Sequence, residues 1–113
     1  MKNAEYVLFL RKGKAKYINN IGKSKTVHKA PNINGKEKQQ PTQKPVSLLK
    51  TYILKSSEKG DIVLDMFMGS GSTAVACIET GRSYIGFEID KNYYDVSQKR
   101  ISGLGKKPRG LWG

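Results

Sequence analysis

Two acids at the ends of apolar runs, with a glycine-serine loop between them, are the residues of this chain best placed for chemistry. Asp65 closes Ile62-Val63-Leu64, and Glu88 closes Ser83-Tyr84-Ile85-Gly86-Phe87. Between them stands Gly69-Ser70-Gly71-Ser72, then a helix-like run to Thr80 that Gly81 ends. A strand, a loop and a helix in immediate succession aim backbone N–H groups at a ligand. The distance to the second apolar run is that of a βαβ unit, which brings Glu88 beside the loop.

The charge of the acids narrows the ligand. Gly69-x-Gly71-x-x-Ala74 matches the dinucleotide fingerprint, but glycine spacing alone has low specificity. A carboxylate at position 65 repels a pyrophosphate, and more strongly as the site becomes drier. It favours an ammonium or a sulfonium instead. A phosphate-free nucleoside with a cationic amino-acid tail satisfies both acids, Asp65 through the tail and Glu88 through the ribose hydroxyls. S-adenosylmethionine is such a molecule. The competing reading, a small dinucleotide-binding fragment, keeps the glycines and Glu88 but leaves Asp65 opposed to the phosphates. Phe67, an aromatic in the loop, either touches the ligand or plugs the domain core.

These residues resemble the amino-methylating DNA methyltransferases, the adenine-N6 and cytosine-N4 enzymes. Asp65-Met66-Phe67-Met68-Gly69-Ser70-Gly71-Ser72 resembles their cofactor-binding motif. Pro41-Thr42-Gln43-Lys44-Pro45 resembles the second cofactor motif, which precedes the glycine loop in the circularly permuted, beta-type subgroup. Gly86-Phe87-Glu88-Ile89-Asp90 resembles the ribose-binding acidic motif. The resemblance implies S-adenosylmethionine bound by Thr42, Lys44, Pro45, Asp65, Phe67, Gly69, Ser70, Gly71, Ser72, Glu88 and Ile89. Thr42 and Lys44 would hold its methionine end. It also implies a partial Rossmann-like methyltransferase fold of the α/β class, with a parallel βαβ core, helices and an incomplete sheet.

The match has departures. Met66 stands where the family usually has proline, and Gln40 where a histidine often precedes the Pro-Thr pair. A larger one concerns catalysis. The exocyclic amine of a base is a poor nucleophile because its lone pair is delocalised into the ring. The family answers with an Asp/Asn/Ser-Pro-Pro-aromatic loop that accepts the amine's hydrogens and stacks on a flipped base. No Pro-Pro dipeptide occurs in the 113 residues. No catalytic residue is therefore assigned, and the chain is expected to be the C-terminal part of a site-specific DNA methyltransferase of the kind found in restriction-modification. Adenine N6 stands ahead of cytosine N4 as the expected target. Such a part is inactive alone, or active with a second chain that carries the loop. A non-catalytic basic module with a vestigial pocket is the alternative.

The elements that position these residues follow from hydropathy and charge. Residues 1–10 include Glu5-Tyr6-Val7-Leu8-Phe9-Leu10, a near-continuous apolar run expected to be a strand of the methyltransferase sheet. Residues 11–40 are rich in Lys, Asn, Gly and Gln and read as a basic loop or linker. Residues 1–55 carry 13 Lys/Arg against 2 acids, whereas residues 56–113 carry 8 against 7. Of the formal net charge of +12, nearly all thus precedes the glycine loop. That asymmetry points to double-stranded DNA, with Lys12, Lys14, Lys16, Lys23 and Lys25 as candidate phosphate contacts or as a solvated linker. Thirty residues are too few to read a base sequence.

Residues 41–102 hold the cofactor motifs. Pro45 suits the first position of a helix whose Val46, Leu49, Tyr52 and Ile53 make one stripe. The helix from about Ser72 can take a serine hydroxyl as its cap, and Gly81 suits its end. Gly86 suggests close backbone approach, and Asp90 caps a last helix through about Ile101, with Tyr94, Ser97 and Ile101 along one side. Residues 103–113 form a flexible basic tail, in which docking of Trp112 is left open. One cysteine, Cys77, excludes an intrachain disulfide and a cysteine-rich zinc site, and it reads as core. No metal role is assigned to His28. The absence of a signal peptide or an apolar run of membrane length points to a cytoplasmic chain. With half of a parallel sheet missing, apolar faces are expected to be uncovered, so the chain is expected to associate with another or to be marginally stable.

Overall fold

Ile62-Val63-Leu64 is short, apolar and β-branched, and it forms a strand in the computed structural model, which describes residues 13–14 and 44–105. The element order is α1 (Val46–Ser56), β1 (Ile62–Asp65), α2 (Ser72–Thr80), β2 (Ser83–Gly86) and α3 (Lys91–Ser102). β1 and β2 pair in parallel, with Ile62 opposite Ser83, Val63 opposite Tyr84, Leu64 opposite Ile85 and Asp65 opposite Gly86. α2 is the crossover between them, so the expected βαβ core is present. The sheet has two strands among the described residues.

Each helix end has an identifiable cause. Pro45 is the N-cap of α1, with extended φ −62° and ψ 131°, so it stands one residue before the first helical position expected for it. Its carbonyl still accepts the first bond of the helix, from Leu49 N–H at 3.3 Å. Gly81 ends α2 in the left-handed region, and Asp90 caps α3 by accepting from Tyr93 N–H at 3.1 Å, both as the sequence indicates. The serine cap expected for α2 is not formed. Gly71 is its N-cap and no side chain caps the helix. β2 is also shorter than expected: the strand ends at Gly86, although Phe87 N–H still donates to Asp65 O at 3.0 Å.

The core lies between the sheet and the helices. Ile53, Ala76 and Cys77 are buried together, and Val46, Leu49, Val63 and Tyr84 pack against them. Val46, Leu49 and Ile53 of the expected α1 stripe therefore pack with α2, Tyr52 is half-buried outside this cluster, and Cys77 is core. A second cluster, Met68, Ala74 and Ile101, joins the turn after β1 to α3. Arg82 is buried and bonds Ser57 Oγ, Ser57 O and Thr80 O at 3.0, 2.6 and 2.7 Å, tying the end of α1 to the end of α2. Lys50 and Glu79 pair across the same two helices at 2.9 Å.

The opposite face of the sheet is bare. Ile62, Leu64, Ile85 and Phe87 are exposed and share that face by alternation. The uncovered apolar surface thus lies on the sheet, whereas the α1 face expected to be bare is packed on α2. No helix among the described residues is long and apolar enough to cross a membrane, and no cluster of His, Cys, Asp or Glu there could hold a metal. The strand expected over residues 5–10, most of the linker, His28 and residues 106–113, with Trp112, lie outside the described residues. Residues 103–105 close a turn on α3, with Leu104 N–H donating to Ile101 O and Gly105 N–H to Ser102 O.

Candidate cofactor site

At the C-terminal edge of the parallel pair the chain makes one continuous hydrogen-bonded turn. Asp65 ends β1, and its Oδ1 accepts from Phe67 N–H at 2.9 Å. Met68 N–H then crosses to Phe87 O at 2.8 Å, and Gly71 N–H closes back on Met68 O at 3.0 Å. These bonds bring the turn after β1 against the segment after β2. Asp65, Phe67, Gly69, Ser70, Gly71 and Ser72 therefore stand on one side, and Glu88 and Ile89 follow Phe87 on the other.

Two glycines are required by this geometry. Gly71 has φ +88°, a conformation that residues with a side chain rarely adopt, and an added Cβ would lie 3.0 Å from Ser97 Cβ on α3. Gly86 lacks a side chain because Met68 occupies that space: an added Cβ would collide with Met68 Sδ and lie 3.1 Å from its Cγ. The close approach expected at Gly86 is thus made by Met68, which fills the core under the turn. Phe67 is 89% exposed and does not plug the core.

Asp65 and Glu88 are two acids at this edge of the sheet; elsewhere among the described residues the side chain of Glu58 has no ion pair or hydrogen bond. Glu79 pairs with Lys50 and Asp95 with Lys91, while Asp61 and Asp90 accept from backbone N–H groups. Asp65 has no cationic partner among the described residues, and beyond its bond to Phe67 no group there takes up its second oxygen. Glu88 is half-buried, with neither a hydrogen bond nor an ion pair among those residues. In a chain of formal net charge +12, two uncompensated carboxylates at one sheet edge favour a cationic or hydroxyl-bearing ligand. Phe67 and the fully exposed Ile89 supply apolar surface for a flat ring beside them. α2 points its uncapped N-terminus at the turn, leaving its first N–H groups without intrahelical acceptors. The donor set fits a nucleoside with an amino-acid tail.

The other expected site residues lie on other segments of the chain. Lys44 and Pro45 are at the head of α1, related to the turn by the packing of α1 on α2. Thr42 lies outside the described residues, as do Lys12, Lys16, Lys23 and Lys25. Lys14 is exposed in a bend.

The family model described as DNA methylase matches residues 2–99. The chain belongs to the N6/N4 DNA methylase family. Among curated members, it is 36% identical over 104 residues to the Type II methyltransferase M.HinfI of Haemophilus influenzae, covering 85% of this chain and 29% of that protein. It is 51% identical over 61 residues to the DNA adenine methyltransferase YhdJ of Escherichia coli (strain K12), covering 54% of this chain and 21% of that one. The crystal structure of the M1.HpyAVI–SAM complex superposes with a TM-score of 0.66 at 38% identity, covering 78% of this chain and 45% of that chain. The chain thus spans less than a third of the length of those curated relatives.

Three residues that shape this turn were not singled out for it by sequence. Met68 lies beneath Gly86, Ser97 lies against Gly71, and Arg100 reaches Ser70 and Ser72. The helical spacing of Ser97, Arg100 and Ile101 was the available signal, because the three share one side of α3. For Met68 no local pattern would have served.

Proposed function

We propose that this chain forms the S-adenosylmethionine-binding portion of a DNA methyltransferase that modifies the exocyclic amine of adenine or cytosine. The observation that carries the reading is the pair of uncompensated carboxylates, Asp65 and Glu88, flanking an uncapped helix N-terminus. Asp65 would take the cationic amino group of the methionine tail, and Glu88 the ribose hydroxyls. Phe67 and Ile89 would enclose the adenine, while Gly69, Ser70, Gly71 and Ser72 offer backbone and hydroxyl groups close to the ligand. Thr42, Lys44 and Pro45 would close the methionine end. When bound, S-adenosylmethionine supplies the electrophilic methyl group. This chain's own work is to orient that group and to exclude the phosphate-bearing cofactors that Asp65 repels.

The groups that accept the amine's hydrogens would come from polypeptide outside these 113 residues, either as a second chain or otherwise. The bare face of Ile62, Leu64, Ile85 and Phe87 gives such a partner an apolar surface to cover. Double-stranded DNA would run along the basic half, with Lys12, Lys14, Lys16, Lys23 and Lys25 on its phosphates. The name of YhdJ favours adenine as the target. The test is transfer of a labelled methyl group to DNA. The chain alone should bind the donor and transfer nothing, and a polypeptide carrying the Pro-Pro-aromatic loop should restore transfer. Robust turnover by the chain alone would overturn the assignment of that loop to another polypeptide.

A further inference from the structure

The turn that carries the glycines has no side-chain cap at its junction with α2, where the backbone bond from Val75 N–H to Gly71 O at 3.0 Å joins them. It is held from behind by α3. Ser97 is fully buried against Gly71, and Ile101 packs with Met68 and Ala74 on either side of the turn. Arg100 lies between these contacts. Its Nη1 donates to Ser72 Oγ at 3.0 Å, to Ser70 O at 3.3 Å and to Ser70 Oγ at 3.4 Å. Both serines are almost fully buried. One guanidinium thus spans the junction between the turn and the first residue of α2, from a point about thirty residues further along the chain.

We propose that Arg100 is a positioning residue that holds the glycine turn in the shape the methyl donor requires. The proposal rests on the reading of this turn as the donor's site. The partners of Arg100 are the buried Ser70 and Ser72, so it acts through the turn. All three contacts are made by Nη1, whose two N–H groups are shared among a carbonyl and two hydroxyls, and a lysine side chain, one bond shorter in reach, meets them less fully. Without it, Ser70 and Ser72 keep buried oxygens with a partner lost, and the turn has no side-chain cap to fall back on.

The test uses the full chain and three variants: Arg100→Met, Arg100→Lys and, as a control, Arg82→Met. Arg82 is a buried arginine bonded to Ser57 and Thr80 at the far end of α2, so its loss destabilises without touching the turn. Two readouts are taken well below every variant's melting temperature. In amide hydrogen exchange, Arg100→Met should speed exchange over residues 69–74, and Arg82→Met should leave that segment as in the wild type. In calorimetry with S-adenosylmethionine, Arg100→Met should bind about tenfold more weakly, a loss of one charge-assisted hydrogen-bond set. Arg100→Lys should fall between, and Arg82→Met should match the wild type. Unchanged exchange over residues 69–74 in Arg100→Met overturns the proposal. So does faster exchange with unaltered affinity, or equal weakening by Arg82→Met. A wild type that takes up no S-adenosylmethionine refutes the site reading and the donor half of the proposal together, while the exchange result still decides whether Arg100 holds the turn.

Discussion

Replacing Gly86 with alanine should destabilise the chain through one side chain, Met68, and a double-mutant cycle can show it. The new Cβ would lie 3.1 Å from Met68 Cγ and 3.3 Å from its Cβ, and would collide with Sδ. The thioether end of a methionine can swing aside, but its root cannot. Met68 N–H is bonded to Phe87 O at 2.8 Å, and the side chain is buried with Ala74 and Ile101. Overpacking of this kind costs about 1–3 kcal/mol. Met68→Ala alone should cost about 2–5 kcal/mol for the cavity it leaves. In the Met68→Ala background the Sδ and Cγ contacts are gone and only the 3.3 Å approach of the two Cβ atoms remains, so Gly86→Ala should cost less than about 1 kcal/mol, and the coupling energy should be about 1–2 kcal/mol. The assay is urea unfolding followed by circular dichroism, at one chain concentration so that any association is common to all four proteins. Additivity within about 0.5 kcal/mol would refute the steric account of Gly86.

Two further outcomes follow from the same contacts. Phe67→Ala should leave urea stability within about 0.5 kcal/mol of wild type, as expected for an exposed side chain, while weakening S-adenosylmethionine binding in calorimetry. A large stability loss would show that the ring is core after all. Burial pushes the Cys77 thiol from 9.0 up to about 11, against a smaller opposing pull from Arg82. The unfolded thiol ionises first, so the unfolded state binds fewer protons between those values and stability falls as pH rises from about 9 to 11. The loss is at most about 3 kcal/mol for two pK units. Cys77→Ala should flatten that part of the stability curve, and an unchanged slope would assign it to other groups.

The order of elements was legible because each has a local cause. Ile62–Leu64 is β-branched and short, Gly81 and Asp90 end and begin helices, and the α1 stripe has one face to bury. The acids at 65 and 88 were legible as residues at the C-terminal ends of the two apolar runs, and the structure places both at one edge of the sheet. What sequence could not supply depends on residues far apart in the chain. The serine expected to cap α2 is engaged instead by Arg100, some thirty residues on, because α3 folds back behind the turn. The tightness at Gly86 comes from Met68, whose role depends on where the turn crosses to Phe87. Phe67 had two readings that local pattern could not separate, and its exposure removes the core one.

The most direct measurement of the central claim is a calorimetric titration of wild type and Asp65→Asn with S-adenosylmethionine and with NAD. Asparagine keeps an oxygen for Phe67 N–H and removes only the charge, so the turn is preserved. Opposite charges at about 4 Å attract by about 4 kcal/mol near a protein surface, and after discounting for exposure a loss of about tenfold or more in affinity is expected. The account predicts that wild type binds S-adenosylmethionine and takes up no NAD, and that Asp65→Asn binds S-adenosylmethionine at least about tenfold more weakly. Equal affinity in the two proteins, or tight binding of NAD by the wild type, would contradict it.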